Sequence, residues 1–209
     1  MDETETKSMI ARLPIFTISV IALCFAASRI DALAELLVYD SEAIRKGEIW
    51  RLITSHCVHF GAMHLIYNTL AFGITGWIIE SKGYRYFKLV CLSTAFSSSV
   101  ALMVFKPGMS CFGGLSGVAC GAIMYGALLC LREPSPWPTV SRLTIMFLLV
   151  KIILELHHNG SLLPYGETQS FVPMPLSHLA GGLTALILFL LTSKNIFMQN
   201  ALSCEINQR

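Results

Sequence analysis

Charge is what this chain has least of. Only 13% of its 209 residues are Asp, Glu, Lys or Arg, about half the share of a soluble domain. The formal net charge is +2, too small to draw the chain to nucleic acid. Its seven cysteines (Cys24, Cys57, Cys91, Cys111, Cys120, Cys130 and Cys204) include no C-x-x-C pair. Neither a zinc site nor a disulfide framework is indicated, and no metal or other cofactor is expected. Most of these cysteines read as small buried hydrophobes. What the chain has in abundance is apolar surface, with 54% hydrophobic residues and a mean hydropathy of +0.63, which places it among membrane proteins.

Six apolar runs cover 13–30, 57–79, 86–105, 114–131, 143–156 and 176–192. About 20 helical residues cross a bilayer core, so the shortest run needs its flanks. The fifth is the weakest, because it contains Lys151 and Glu155. The first reads as an uncleaved anchor rather than a signal peptide, since five more spans follow. The expectation is an all-α membrane protein with a six-helix transmembrane domain over 13–192, between cytoplasmic tails at 1–12 and 193–209. With the N-terminus in the cytoplasm, Lys7, Arg12, Lys82, Arg85, Lys88, Arg132, Arg142, Lys194 and Arg209 lie inside. Arg29, Arg45, Lys46, Arg51 and Lys106 lie outside, with Lys151 near the outer end of its helix, a modest positive-inside bias. The first outer loop, about 31–56, mixes apolar residues with charges of both signs, which suits a membrane-associated segment.

This topology collects the polar residues at one depth. The second, fourth and sixth helices all start on the outer side. Ser116 lies near the start of the fourth, between Gly114 and Gly117; His178 lies near the start of the sixth. His59, His64 and Asn68 fall in the outer half of the second. Hydrocarbon offers a hydroxyl no water, so a polar group there has a partner or a task. Helix N-termini supply free N–H groups and a partial positive charge, which suit a developing oxyanion. A serine needs a base within reach to become a nucleophile, and His178 is the natural base. His64 and Asn68 are four apart and share a helix face; they are expected to serve the oxyanion with the Ser116 backbone N–H. At about 100° per residue, His59 points about 140° away from His64 and is expected to pin the outer loop instead.

The plainer readings stand beside these. A serine in a glycine-rich helix often serves close packing, and an intramembrane asparagine often makes an interhelical hydrogen bond. His56, His157 and His158, at helix ends or in loops, read as solvated or interfacial. Lys151 and Glu155, four apart, read most simply as a structural salt bridge; a substrate-facing role, or Glu155 as a third member of a catalytic triad, is the lesser reading.

Four segments together resemble the rhomboid family of intramembrane serine proteases. Gly47-Glu48-Ile49-Trp50-Arg51-Leu52 resembles its Trp-Arg motif, and His59, His64 and Asn68 match its His-x4-His-x3-Asn spacing. Gly113-Gly114-Leu115-Ser116-Gly117 matches the G-x-S-G nucleophile motif, and His178-Leu179-Ala180-Gly181 resembles the A-H-x-x-G motif, with Gly181 allowing tight packing on the fourth helix. The resemblance implies a six-transmembrane-helix rhomboid bundle with a Ser116–His178 dyad and no acid, open to the outer side. It implies cleavage of transmembrane protein substrates near their outer end, and a gate and cap formed by the fifth helix and the 157–175 loop. H-E-x-x-H and G-x-G-D, the marks of other intramembrane proteases, are absent.

Three positions depart from the family pattern. Cys120 stands where many rhomboids place an aromatic ring on the catalytic histidine, Ser177 replaces an alanine, and Ala185 stands where a second glycine often follows Gly181. With the Lys-x3-Glu of the fifth run, they resemble the bacterial rhombosortases of the inner membrane, which process exported proteins bearing C-terminal Gly-Gly tails. Two readings from other classes compete. An inactive rhomboid-like protein that binds membrane clients would usually lack the serine or histidine, and both are present. A small transporter or channel would need a polar stripe through the whole bilayer, and here the polar residues stop at one leaflet.

Overall fold

The computed structural model describes residues 13–158 and 174–206, with side chains to residue 193 of the last helix. The tail 1–12, Lys194, Arg209 and most of the 157–175 loop therefore lie outside the described residues or side chains. Helices occupy Ile15–Ala27 (α1), Asp31–Leu37 (α2), Ser41–Arg45 (α3), Arg51–Thr54 (α4), Ala62–Ser81 (α5), Phe87–Phe105 (α6), Ser116–Cys130 (α7), Trp137–His158 (α8) and Pro175–Ile206 (α9). A 3-10 turn spans Ser55–Cys57. Three segments, Ala62–Ser81, Phe87–Phe105 and Pro175–Ser193, are long and apolar enough to cross a membrane. The pair α1 and α2, bent by 116°, makes a fourth if taken as one span. α9 runs past the expected end of its apolar run, and α8 starts earlier than the run at 143.

α7 is the hub. It packs on α5, α6, α8 and most extensively on α9, and it is buried on nearly every side. Its small residues explain this position, because a helix of Gly, Ala, Ser and Cys lets neighbouring backbones come close. A Cβ at Gly181 of α9 would collide with the Gly117 carbonyl, and one at Gly117 would lie 2.9 Å from the Ser177 carbonyl. α5, α6, α8 and α9 turn large apolar side chains outward, among them Ile74, Trp77, Phe96, Phe147 and Leu191. Such an apolar exterior suits lipid rather than water. At the opposite end of the bundle from the polar cluster, the Glu80 carboxylate of α5 accepts the Phe16 and Thr17 N–H groups at 3.2 and 2.8 Å. A negative charge there satisfies first-turn donors of α1 and complements its dipole.

The segment expected to lie on the membrane as the first outer loop is built from short helices and a two-residue strand. Tyr39–Asp40 (β1) pairs antiparallel with Cys111–Phe112 (β2), Tyr39 facing Phe112 and Asp40 facing Cys111. This small ladder is the one departure from an all-helical chain among the described residues. Asp40 caps α3, accepting from the Glu42 and Ala43 N–H groups at 2.8 and 3.0 Å, and those donors hold its carboxyl below the usual carboxylate range. Arg51 is buried. Its Nη1 donates to the Glu35 and Val38 carbonyls at 2.6 and 2.7 Å, and its Nε to Glu48 at 2.7 Å. It thereby ties the open C-terminal end of α2 to the start of α4. Trp50 is partly exposed and donates its indole N–H to the Leu36 carbonyl at 3.3 Å. The ladder carries this tied loop directly onto the strand that leads to Ser116.

Candidate active site

Ser116 is the first residue of α7, where helix geometry leaves the backbone N–H without an intrahelical acceptor. The chain reaches it through Gly114, whose φ of +135° is open to glycine and strained for other residues. A Cβ at Gly114 would also lie 2.6 Å from the His64 ring, so the glycine is required for backbone and for space. The segment Ser55–His59 grips this approach from the side. The Gly114 N–H donates to the Ser55 carbonyl at 3.3 Å, and His56 Nδ1 lies 3.1 Å from the Gly114 carbonyl. The Leu115 N–H donates to His59 Nε2 at 3.3 Å, while His59 Nδ1–H donates to the Cys57 carbonyl at 3.2 Å. Together these bonds set the backbone immediately before the serine.

Two expectations are corrected here. His59 was placed on the second helix and pointed at the outer loop. It precedes α5, which begins at Ala62, and it holds the segment before Ser116 instead. The helical-wheel angle from His64 therefore does not apply, and the two rings lie edge to face at 4.9 Å. His56, expected to be solvated or interfacial, is fully buried. Its Nε2 lies 2.9 Å from the Ala95 carbonyl and 3.1 Å from Ser99 Oγ. The signal available in the sequence was a histidine set within the small and apolar residues of Ser55-His56-Cys57-Val58. His157 and His158 are exposed at the end of α8, as expected.

His178 lies in the first turn of α9, three residues after Pro175, which opens the helix where a missing N–H is harmless. The preceding carbonyl, that of Ser177, accepts the Ser98 hydroxyl at 3.1 Å and sits against Gly117. Ser177 Oγ itself donates to the Met174 carbonyl at 2.8 Å, and Ala185 is fully buried in the core. Ser116 and His178 line one cavity of about 260 Å³ with Asn68, Cys120, Phe147 and Lys151. No hydrogen bond joins Ser116 to His178 in this cavity among the described residues. Asn68 is buried and its Nδ2 has no hydrogen-bond partner among the described residues. A buried, unspent donor beside a serine is a place for an anion to form. His64 does not line the cavity; it packs behind it, against Gly114 and His59.

Lys151 and Glu155 form the expected pair at 2.7 Å, but the pair is not isolated. The same carboxylate oxygen accepts His178 Nδ1–H at 2.7 Å.

The sequence pattern of the rhomboid domain matches residues 46–195. The chain belongs to the rhomboid family. It is 38% identical over 93 residues to the rhomboid protease GluP of Bacillus subtilis (strain 168), a match covering 43% of this chain and 18% of that protein. It is 29% identical over 118 residues to the rhomboid protease GlpG of Salmonella newport (strain SL254), covering 56% of this chain and 42% of that protein. The chain thus spans less than half the length of these curated relatives. The apolar exterior and the family together make it a multi-pass membrane protein.

Proposed function

We propose that this rhomboid is an intramembrane serine endopeptidase, cutting a transmembrane segment of a membrane-anchored protein near its outer end. Ser116 Oγ attacks the scissile carbonyl. His178 Nε2 takes the proton and returns it to the leaving amine, and water then releases the acyl group by the same exchange. The oxyanion is held by Asn68 Nδ2 and the Ser116 N–H, with His64, one turn before Asn68 on α5, supporting that pocket from behind. Trp50, Arg51 and His59 hold the outer loop and the nucleophile segment; Gly114, Gly117 and Gly181 provide the close approaches. The observation that carries this reading is the convergence of Asn68, Ser116 and His178, from α5, α7 and α9, on one cavity.

The chain is read as six spans over 13–192 in a bacterial inner membrane, with both tails cytoplasmic. The cavity then opens to the periplasmic side, with the lipid bilayer around it. This rests on the positive-inside bias and on α5, α7 and α9 all starting at the cavity's end of the bundle. The substrate class is read as exported proteins with C-terminal Gly-Gly tails, on the departures at Cys120, Ser177 and Ala185 and the Lys151/Glu155 pair.

The test is co-expression with two tagged membrane proteins, one ending in a Gly-Gly tail, apolar span and basic end, the other a generic rhomboid substrate. Cleavage of the first, absent in Ser116→Ala, is expected. Cleavage of the generic substrate alone removes the Gly-Gly reading, and cleavage that survives Ser116→Ala removes the nucleophile. Asn68→Ala is expected to lower kcat about 10²-fold with KM little changed, as loss of an oxyanion donor does; a KM effect alone would place Asn68 in substrate binding.

A further inference from the structure

The Lys151/Glu155 pair is built for more than a salt bridge. Ser141, Leu148, Ile152 and Glu155 form the buried face of α8, the spacing of one helical stripe. Glu155 is 1% exposed, deeper than a structural ion pair on a membrane helix needs to be. Its Oε2 accepts from two donors, Lys151 Nζ at 2.7 Å on its own helix and His178 Nδ1–H at 2.7 Å on α9. Lys151 Nζ also donates to Oε1 at 2.8 Å and stands 3.3 Å from His178 Nδ1. No aromatic ring lies on His178 among the described residues; the side chain one turn after Ser116 is the small Cys120, which lines the same cavity. The His178 ring therefore takes its orientation from the carboxylate.

We infer that Glu155 is a positioning residue for catalysis, completing a Ser116–His178–Glu155 array in which Lys151 balances the carboxylate's charge. The inference rests on the reading of Ser116 and His178 as nucleophile and base. A carboxylate on Nδ1 fixes the proton there and leaves the Nε2 lone pair for Ser116. When Nε2 takes the serine proton, the imidazolium meets a negative charge already in place, and no group has to reorganise. A bare carboxylate at this depth would be costly, and Lys151 offsets that cost. Resting charge is thus one plus and one minus beside a neutral imidazole. Glu155 takes no proton; it acts through His178 alone.

The experiment uses the full chain in native membranes and a fluorophosphonate probe. Ser116 Oγ attacks phosphorus, fluoride leaves, and His178 accepts the serine proton, so labelling reports the array without a known substrate. Wild type is expected to label and Ser116→Ala to remain unlabelled. Glu155→Gln, which keeps size and a hydrogen-bonding amide, is expected to slow labelling on the order of 10⁴-fold, the scale of losing the orienting carboxylate in a triad. Lys151→Met with Glu155→Leu removes both charges together, so no buried charge is left unpaired. This folded double variant is expected to slow labelling as much as Glu155→Gln does. In ¹⁵N-histidine spectra of the purified chain, His178 should be the Nδ1–H tautomer in wild type and lose that preference in Glu155→Gln. Wild-type labelling that both variants leave unchanged, or an unchanged tautomer, overturns the role of Glu155 alone. No Ser116-dependent labelling in wild type overturns the Ser116–His178 reading and this inference with it.

Discussion

Replacing Ser116 or His178 with alanine is expected to abolish cleavage, each by on the order of 10⁶-fold, and the double replacement to cost little more. Groups that act as one unit in proton transfer and attack are not additive; removing either leaves only binding and the oxyanion donors. The two side chains share a cavity with Asn68 but rest on different helices. Ser116→Ala should accumulate and melt like wild type, whereas His178→Ala, which deprives the buried Glu155 carboxylate of a hydrogen bond, should still fold but melt lower. Purified protein in detergent, incubated with a transmembrane segment that wild type cuts, checks the rates, and thermal unfolding checks the fold. Additive losses would mean that the two residues act in separate steps. Residual cleavage within 10²-fold of wild type in either variant would remove it from the chemistry.

The largest effect on stability is expected at His56. The ring is 1% exposed, touches the Phe112 ring edge-on at 5.6 Å and reaches three polar groups on two other segments. His56→Ala leaves a cavity beside Phe112 and strands the Gly114 carbonyl and the Ser99 hydroxyl in the core. Lost packing and lost hydrogen bonds together cost about 3–4 kcal/mol. Because one of those bonds holds the peptide two residues before Ser116, labelling or cleavage should fall as well. His56→Asn, which can still donate one hydrogen bond, should recover part of the stability. Unfolding within about 1 kcal/mol of wild type for His56→Ala would show that the ring carries nothing.

His56 also shows where sequence reasoning stopped. Apolar runs located every long helix of the described chain, because burial in lipid leaves a continuous signature in one segment. Gly114, Ser116 and Gly117 were legible for the same reason: the glycines and the serine are adjacent, and the chemistry they allow is local. Comparing depth across helices, which needs only the direction of each span, puts His178 and Asn68 level with Ser116, and the three line one cavity. His56 and His59 were misjudged because they were assigned to a solvated end and a helix. The segment containing them is an irregular connection, and its partners, Gly114 and Leu115, lie more than fifty residues further along. No periodicity within 55–61 reports that pairing.

Glu155 marks the same boundary from the other side. Its four-residue spacing from Lys151 predicted their bond, which forms, since helix geometry alone brings the two together. The third partner, His178, comes from another helix. Whether it meets Glu155 depends on how α8 is rotated about its axis and how far it slides along α9. Those two quantities are decided by the packing of Leu148 and Ile152 into the core and by the glycine contacts of α7 with α9.

By itself, then, the amino-acid sequence determined the membrane class, the helices and the glycine setting of Ser116, all of which are encoded in neighbouring residues or in the period of one helix. Only the tertiary structure decided which histidine grips the segment before Ser116, which donor is left unspent and which carboxylate meets His178. Those are contacts between segments, set by the rotation and depth of packed helices, and no single stretch of chain contains them.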